Sequence, residues 1–89
     1  MNAEILKMFR VNTLKAIIRA GRTGATVNEL LLDLRGQGFS DASRENIREE
    51  IEYLIGKGHV EKLDEHISPE VESFKATPAG RDFIAEKSL

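Results

Sequence analysis

"SRENIREEIEYLIGKGHVEKLDE", residues 43 to 65, changes its periodicity part-way along. Ile47, Ile51, Leu54 and Ile55 recur at the spacing of one helix face, which predicts a helix from about Ala42 to Lys57. Ser40, Asp41 and Ser43 offer caps for its start, and Gly56 and Gly58 close it. Beyond the glycines, "HVEKLDE" (59–65) sets Val60 and Leu63 among polar residues, as an exposed strand does. The helix also carries four carboxylates, Glu45, Glu49, Glu50 and Glu52. Their placement bears on what such a helix can touch.

Upstream lie two further helices. Val11, Leu14, Ile17 and Ile18 define a core face for a first helix spanning Asn2 to Ala20, while Ile5, Met8, Phe9 and Asn12 form a second stripe. That stripe predicts either packing under the C-terminal helix or the seam of a homodimer. In "GRTGAT" (21–26), Gly21 suits a left-handed helix stop and Gly24 a loop. Thr26 reads as an N-cap with Glu29 as its capping-box partner, and Val27, Leu30, Leu31 and Leu34 make the buried stripe of a short helix that "GQGF" (36–39) ends. Downstream, "HISPE" (66–70) predicts a turn and "VESFKA" (71–76) a second strand, giving a hairpin. Thr77 as N-cap and Pro78 at the first helical position then start a last helix, docked by Phe83 and Ile84. The fold class expected is mostly α with a small β-hairpin (α+β).

Eighty-nine residues make one domain, 1–89, with a modest core. An apolar share of 40% in periodic runs argues for a folded soluble chain rather than disorder. The absence of cysteine excludes disulfides, thiol catalysis and thiolate metal sites, and fits a cytoplasmic protein. No apolar run is long enough for a membrane span, and Glu4, Lys7 and Arg10 interrupt any signal-peptide core. The net charge of −2 is unevenly spread. Residues 1–40 hold six basic and three acidic side chains (+3), and residues 41–89 hold seven basic and twelve acidic (−5).

"IEYLIGKGHVEKL" and "KATPAGRDFI" carry a family likeness. The first resembles the end of a recognition helix, its glycine turn and the first wing strand of winged helix-turn-helix domains. The second resembles the "LTPxGR" exit from their second wing strand. The resemblance spans about residues 10 to 88 and implies a three-helix core, a two-stranded wing and a C-terminal helix. Through "ATVNELLLDL…G…SRENIREEIEYLIGKGHV", the chain also looks like the small ArsR-like winged-helix proteins of Mu-like prophages. That likeness implies a DNA-binding transcription regulator of bacterial or phage origin. It rests on fold, which by itself says little about chemistry.

In such domains the third helix enters the major groove. Here Glu45, Glu49 and Glu52 lie almost opposite the core face, with Asn46 and Tyr53 beside them and Arg44 and Arg48 on the flank. Carboxylates facing phosphates oppose the main source of non-specific affinity. The wing turn, with Asp64, Glu65, Glu70 and Glu72, is acidic as well. A plain alternative is that these are solvated positions, with Glu45 favoured by the helix dipole and Arg48 bridging Glu45 and Glu52 along the helix. The expected double-stranded DNA contacts are then Arg44, Asn46 and Arg48 at the third helix, with Lys7, Lys15, Arg19, Arg22 and Arg35 on phosphates. The rival expectation is a protein-binding or assembly module. Its surface would be the acidic helix with Tyr53, or the stripe of Ile5, Met8 and Phe9.

Other motifs carry less. Gly21-Arg22-Thr23-Gly24 mimics an RNA-clamping GXXG loop, but the residues before it read as helix. His59 and His66, near Asp64 and Glu65, lack the convergence a metal site needs, so no metal and no other cofactor is expected. No nucleophile elbow is present, and the carboxylates are expected on solvated positions with ordinary acidity, so the chain is not expected to be an enzyme.

Overall fold

The computed structural model describes residues 1–63 and 71–87. Its elements are α1 (Ala3–Ala20), a 3₁₀ turn (Gly21–Thr23), α2 (Val27–Gly36), α3 (Arg44–Gly56), β1 (Val60–Lys62), β2 (Phe74–Ala76) and α4 (Pro78–Glu86). The chain is thus mostly helical with one two-stranded antiparallel hairpin. Val60 pairs with Ala76, Glu61 with Lys75 and Lys62 with Phe74. Among the described residues the strands are shorter than the expected 59–65 and 71–76: His59 and Leu63 lie outside β1, and residues 71–73 lie outside β2. Asp64, Glu65, His66 and Glu70, with the turn expected at 66–70, lie outside the described residues.

Local signals set the helix ends. Thr26 and Glu29 form a reciprocal capping box, and Ser43 and Asn46 form a second. Gly21, at φ 67°, stops α1. The exits of α2 and α3 share one geometry. In "GQGF", Phe39 N–H donates to the Leu34 carbonyl; in "GKGH", His59 N–H donates to the Leu54 carbonyl. The second glycine of each, Gly38 and Gly58, has positive φ. Each turn thereby folds a ring back onto a neighbour. Phe39 meets Phe9 of α1 edge-on at 5.5 Å, and His59 stacks on Phe83 of α4 at 4.6 Å.

The core is one cluster centred on Phe9, Leu14, Ile17, Leu30, Leu34 and Ile47. Phe9 corrects the sequence reading. As part of the stripe with Ile5 and Met8 it is expected either under the C-terminal helix or at a partner interface, yet it is 1% exposed and packs on Phe39, which rules out the interface role. The buried residues of α1 are Phe9, Thr13, Leu14, Ala16 and Ile17, so Leu14 and Ile17 of the expected core face are inside and the face extends toward Phe9. Val11 and Ile18 fall on its flank and are half-buried. Thr13 is tolerated inside because its hydroxyl donates to the Phe9 carbonyl at 2.7 Å.

Ala25 adds a pairing that the sequence did not suggest. Its N–H donates to the Phe74 carbonyl at 2.8 Å and its carbonyl accepts from Phe74 N–H at 2.9 Å, so a residue read as loop backs the hairpin. Gly24 makes this approach possible: a Cβ there would lie 2.7 Å from the Phe74 carbonyl oxygen, at φ 71°. The "TPAGR" start of α4 has an equally local cause. The Thr77 hydroxyl accepts from Gly80 N–H and donates to the Gly58 carbonyl, while Thr77 N–H donates to the His59 carbonyl. Gly80 packs so closely on the His59 carbonyl that a Cβ would collide with it.

Candidate nucleic-acid interface

Helix α3 buries Ile47, Glu50, Ile51 and Leu54, the i, i+3, i+4, i+7 pattern of a strict helix stripe. Two sequence expectations change with it. Ile55, assigned to the core, lies one residue round the helix and is 40% exposed. Glu50, grouped with the solvated carboxylates, is 4% exposed. It is held inside by Arg10 of α1, whose Nε donates to Glu50 Oε1 at 2.8 Å. The Arg10 guanidinium lies 4.0 Å from the centre of the Tyr53 ring, so one cation serves both groups. Burial raises the Glu50 carboxyl above its ordinary value, and the charge of Glu49 adds to this. The Arg10 charge and hydrogen bond oppose the rise without cancelling it.

Between α3, the start of α2 and the hairpin lies a groove of about 730 Å³. Arg44, Arg48 and Lys62 supply its cations, Asn28 and Thr26 its neutral polar groups, Ile51, Ile55 and Phe74 its apolar surface, and Glu52 and Glu72 its carboxylates. Arg44 is aimed by its Nε, which donates to Asn28 Oδ1 at 2.8 Å. Arg48 is exposed and makes no ion pair among the described residues. Lys62 and Glu72 approach to 3.4 Å, a loose, exposed contact worth little. Glu45 and Glu49 do not line this groove.

Of the expected DNA contacts, the groove collects Arg44 and Arg48 only. The others have different surroundings. The Asn46 side-chain oxygen is engaged in the capping box, accepting from Ser43 N–H at 3.1 Å, and Asn46 does not line the groove. Arg35 donates through Nε and Nη2 to the Ala42 carbonyl at 3.0 and 2.9 Å, clasping the turn between α2 and α3. Arg19 pairs with Asp33 at 3.0 Å. The Asp33 carboxyl is held below its usual value by its hydrogen bond from Gln37 and by the hydrogen bond and charge of Arg19, which together outweigh the opposing effect of burial. Lys15 is half-buried on α1, and Arg22 is exposed in the 3₁₀ turn. Lys7 belongs to a separate groove on the other flank of α3. Lys62 joins the site only through the pairing register of the hairpin, which short-range sequence signals do not encode.

Of the expected protein-contact residues, Ile5, Met8 and Tyr53 are exposed at 41%, 57% and 40%, and Phe9 is not available. Leu32 on α2, at 72%, is a further exposed apolar side chain that the sequence reading passed over, because it falls off the buried stripe. Among the described residues, no helix is long and apolar enough to cross a membrane, and no group of three or more His, Cys, Asp or Glu converges as metal ligands would. His59, just before β1, stacks on Phe83. No protein-family model and no curated protein matches the chain.

Proposed function

We propose that the chain is a small winged helix-turn-helix protein that binds duplex DNA weakly, as a regulatory protein does, through the groove between α3 and the hairpin. The element order, a three-helix core followed by a hairpin and a last helix, supports this reading. The observation that carries it is the sorting of charge around α3. Arg44, Arg48 and Lys62 line the groove against Glu52 and Glu72, whereas Glu45 and Glu49 lie outside it. A duplex entering from the hairpin side meets three cations against two carboxylates, a small positive excess, with Glu45 and Glu49 off the lining.

The test is fluorescence anisotropy with a labelled mixed-sequence duplex. Three phosphate contacts give a log–log salt slope near −2.7, so affinity falls roughly 40-fold between about 50 and about 200 mM salt. The Arg44→Ala/Arg48→Ala double variant leaves one cation, and the fall shrinks to roughly 3- to 4-fold. No binding at the lower salt, or an unchanged slope in the double variant, refutes the assignment. The exposed Glu45 and Glu49 favour a second reading, in which the same helix docks a basic protein partner and no duplex. That reading gains from a failed DNA titration and loses from a successful one.

A further inference from the structure

The other flank of α3 carries a second groove, of about 570 Å³, bounded by α1, the end of α3 and α4. Val11, Leu54 and Phe83 give it an apolar floor. Its rim is cationic: Lys7, Arg10, Lys57 and Lys87, with no carboxylate among the described residues that line it. Arg10 is already matched by Glu50 beneath it. Lys7, Lys57 and Lys87 make no ion pair among the described residues. Lys57 and Lys87 instead lie over the rings of Tyr53 and Phe83, at 5.7 and 5.1 Å, which keeps their charge at the groove edge. We infer that this groove docks an acidic amphipathic helix of a protein partner, with aliphatic anchors on the floor and carboxylates against the three lysines. Two features select that occupant. A small ligand is held by burying most of its surface, and this groove is half-open. From Lys7 to Leu14 the groove follows about two turns of α1, roughly 10 Å, a length that takes anchors at i, i+3, i+4 and i+7. The sign of the rim selects an acidic partner rather than a basic one. This surface is separate from the proposed DNA groove, and neither inference depends on the other.

The experiment uses the full chain and two fluorescein-labelled synthetic 18-residue peptides. Both have leucine at i, i+3, i+4, i+7 and i+11; one carries glutamate and the other lysine on the flanking positions. Anisotropy is read at about 50 mM salt, and amide chemical shifts locate the contact. The expected result is binding of the glutamate peptide alone, with shifts at Tyr53, His59 and Phe83, and no displacement by excess duplex. Lys7→Glu/Lys57→Glu/Lys87→Glu should weaken it by roughly tenfold or more, since each reversal sets like charges together. The substituted lysines lie at the rim, and unchanged circular dichroism and Tm confirm that the variant folds. Equal binding of both peptides, shifts confined to the α3–hairpin groove, or no binding at millimolar peptide overturns the proposal. Sodium dodecanoate shifting the same amides when the glutamate peptide does not also overturns it, because the occupant is then a small amphiphile.

Discussion

Truncating Phe9 separates a core role from an interface role more sharply than any other change on α1. The ring is 1% exposed and meets Phe39 edge-on at 5.5 Å, with planes 77° apart. Phe9→Ala deletes a buried ring, leaves a cavity and removes an aromatic pair. The first two effects cost about 3–5 kcal/mol together, and the pair is worth about 0.5–1.5 kcal/mol of preference beyond its buried area. A domain of this size has roughly 4–13 kcal/mol of total stability, so the variant forfeits a large share of it. At about 4–8 °C per kcal/mol, a loss of 3 kcal/mol already lowers Tm by roughly 12–24 °C. Met8, its neighbour in sequence, is 57% exposed, and Met8→Ala should stay within about 0.5 kcal/mol of the parent. Urea and thermal unfolding of both variants at several protein concentrations give the comparison. A Phe9→Ala variant as stable as Met8→Ala refutes the packing assignment. A Met8→Ala loss that grows with protein concentration places the residue in a self-association seam instead.

Three further outcomes follow from local contacts or the lack of them. The Glu50 carboxyl is raised in the fold, so the folded state binds its proton more tightly than the unfolded chain does. Its contribution to stability therefore declines as pH rises from the ordinary glutamate value, about 4.3, through the raised folded value. Glu50→Gln keeps an acceptor for Arg10 Nε and abolishes that decline. Urea midpoints between pH 4 and pH 7 should show Gln gaining on the parent as pH rises, and a pH-independent difference would falsify the account. For Gly80→Ala, the added methyl meets the His59 carbonyl, a backbone atom fixed by Thr77, and the cost is about 1–3 kcal/mol. Gly36→Ala, in a helix with nothing near its Cβ, should stabilise by about 0.4–1 kcal/mol. Calorimetric Tm shifts of the same sign for both would contradict this contrast.

The four helices and the two strands were legible in the sequence, because their signals are short-range. Capping boxes, glycine stops and the Thr-Pro helix start act within three or four residues; the caps at Thr26 and Thr77 lie where the sequence reading puts them, and Ser43 is the one used of the three caps offered for α3. Side-chain periodicity likewise placed Leu30, Leu34, Ile47, Ile51 and Leu54 inside. What only the tertiary structure decided is the use of residues that a helix presents at the edge of its stripe. A residue 100° from the core direction is buried or exposed according to what packs beside it. Phe9 was therefore drawn inward by Phe39, and Ile55 was left facing the groove. Glu50 was taken into the interior by an arginine forty positions away, a pairing no periodicity can contain. Ala25 became a lane of the sheet because Gly24 admits the Phe74 carbonyl. The sorting of Arg44 and Arg48 from Glu45 and Glu49 has the same origin: the helix spaces the charges, and the hairpin packed beside it decides which of them share a groove.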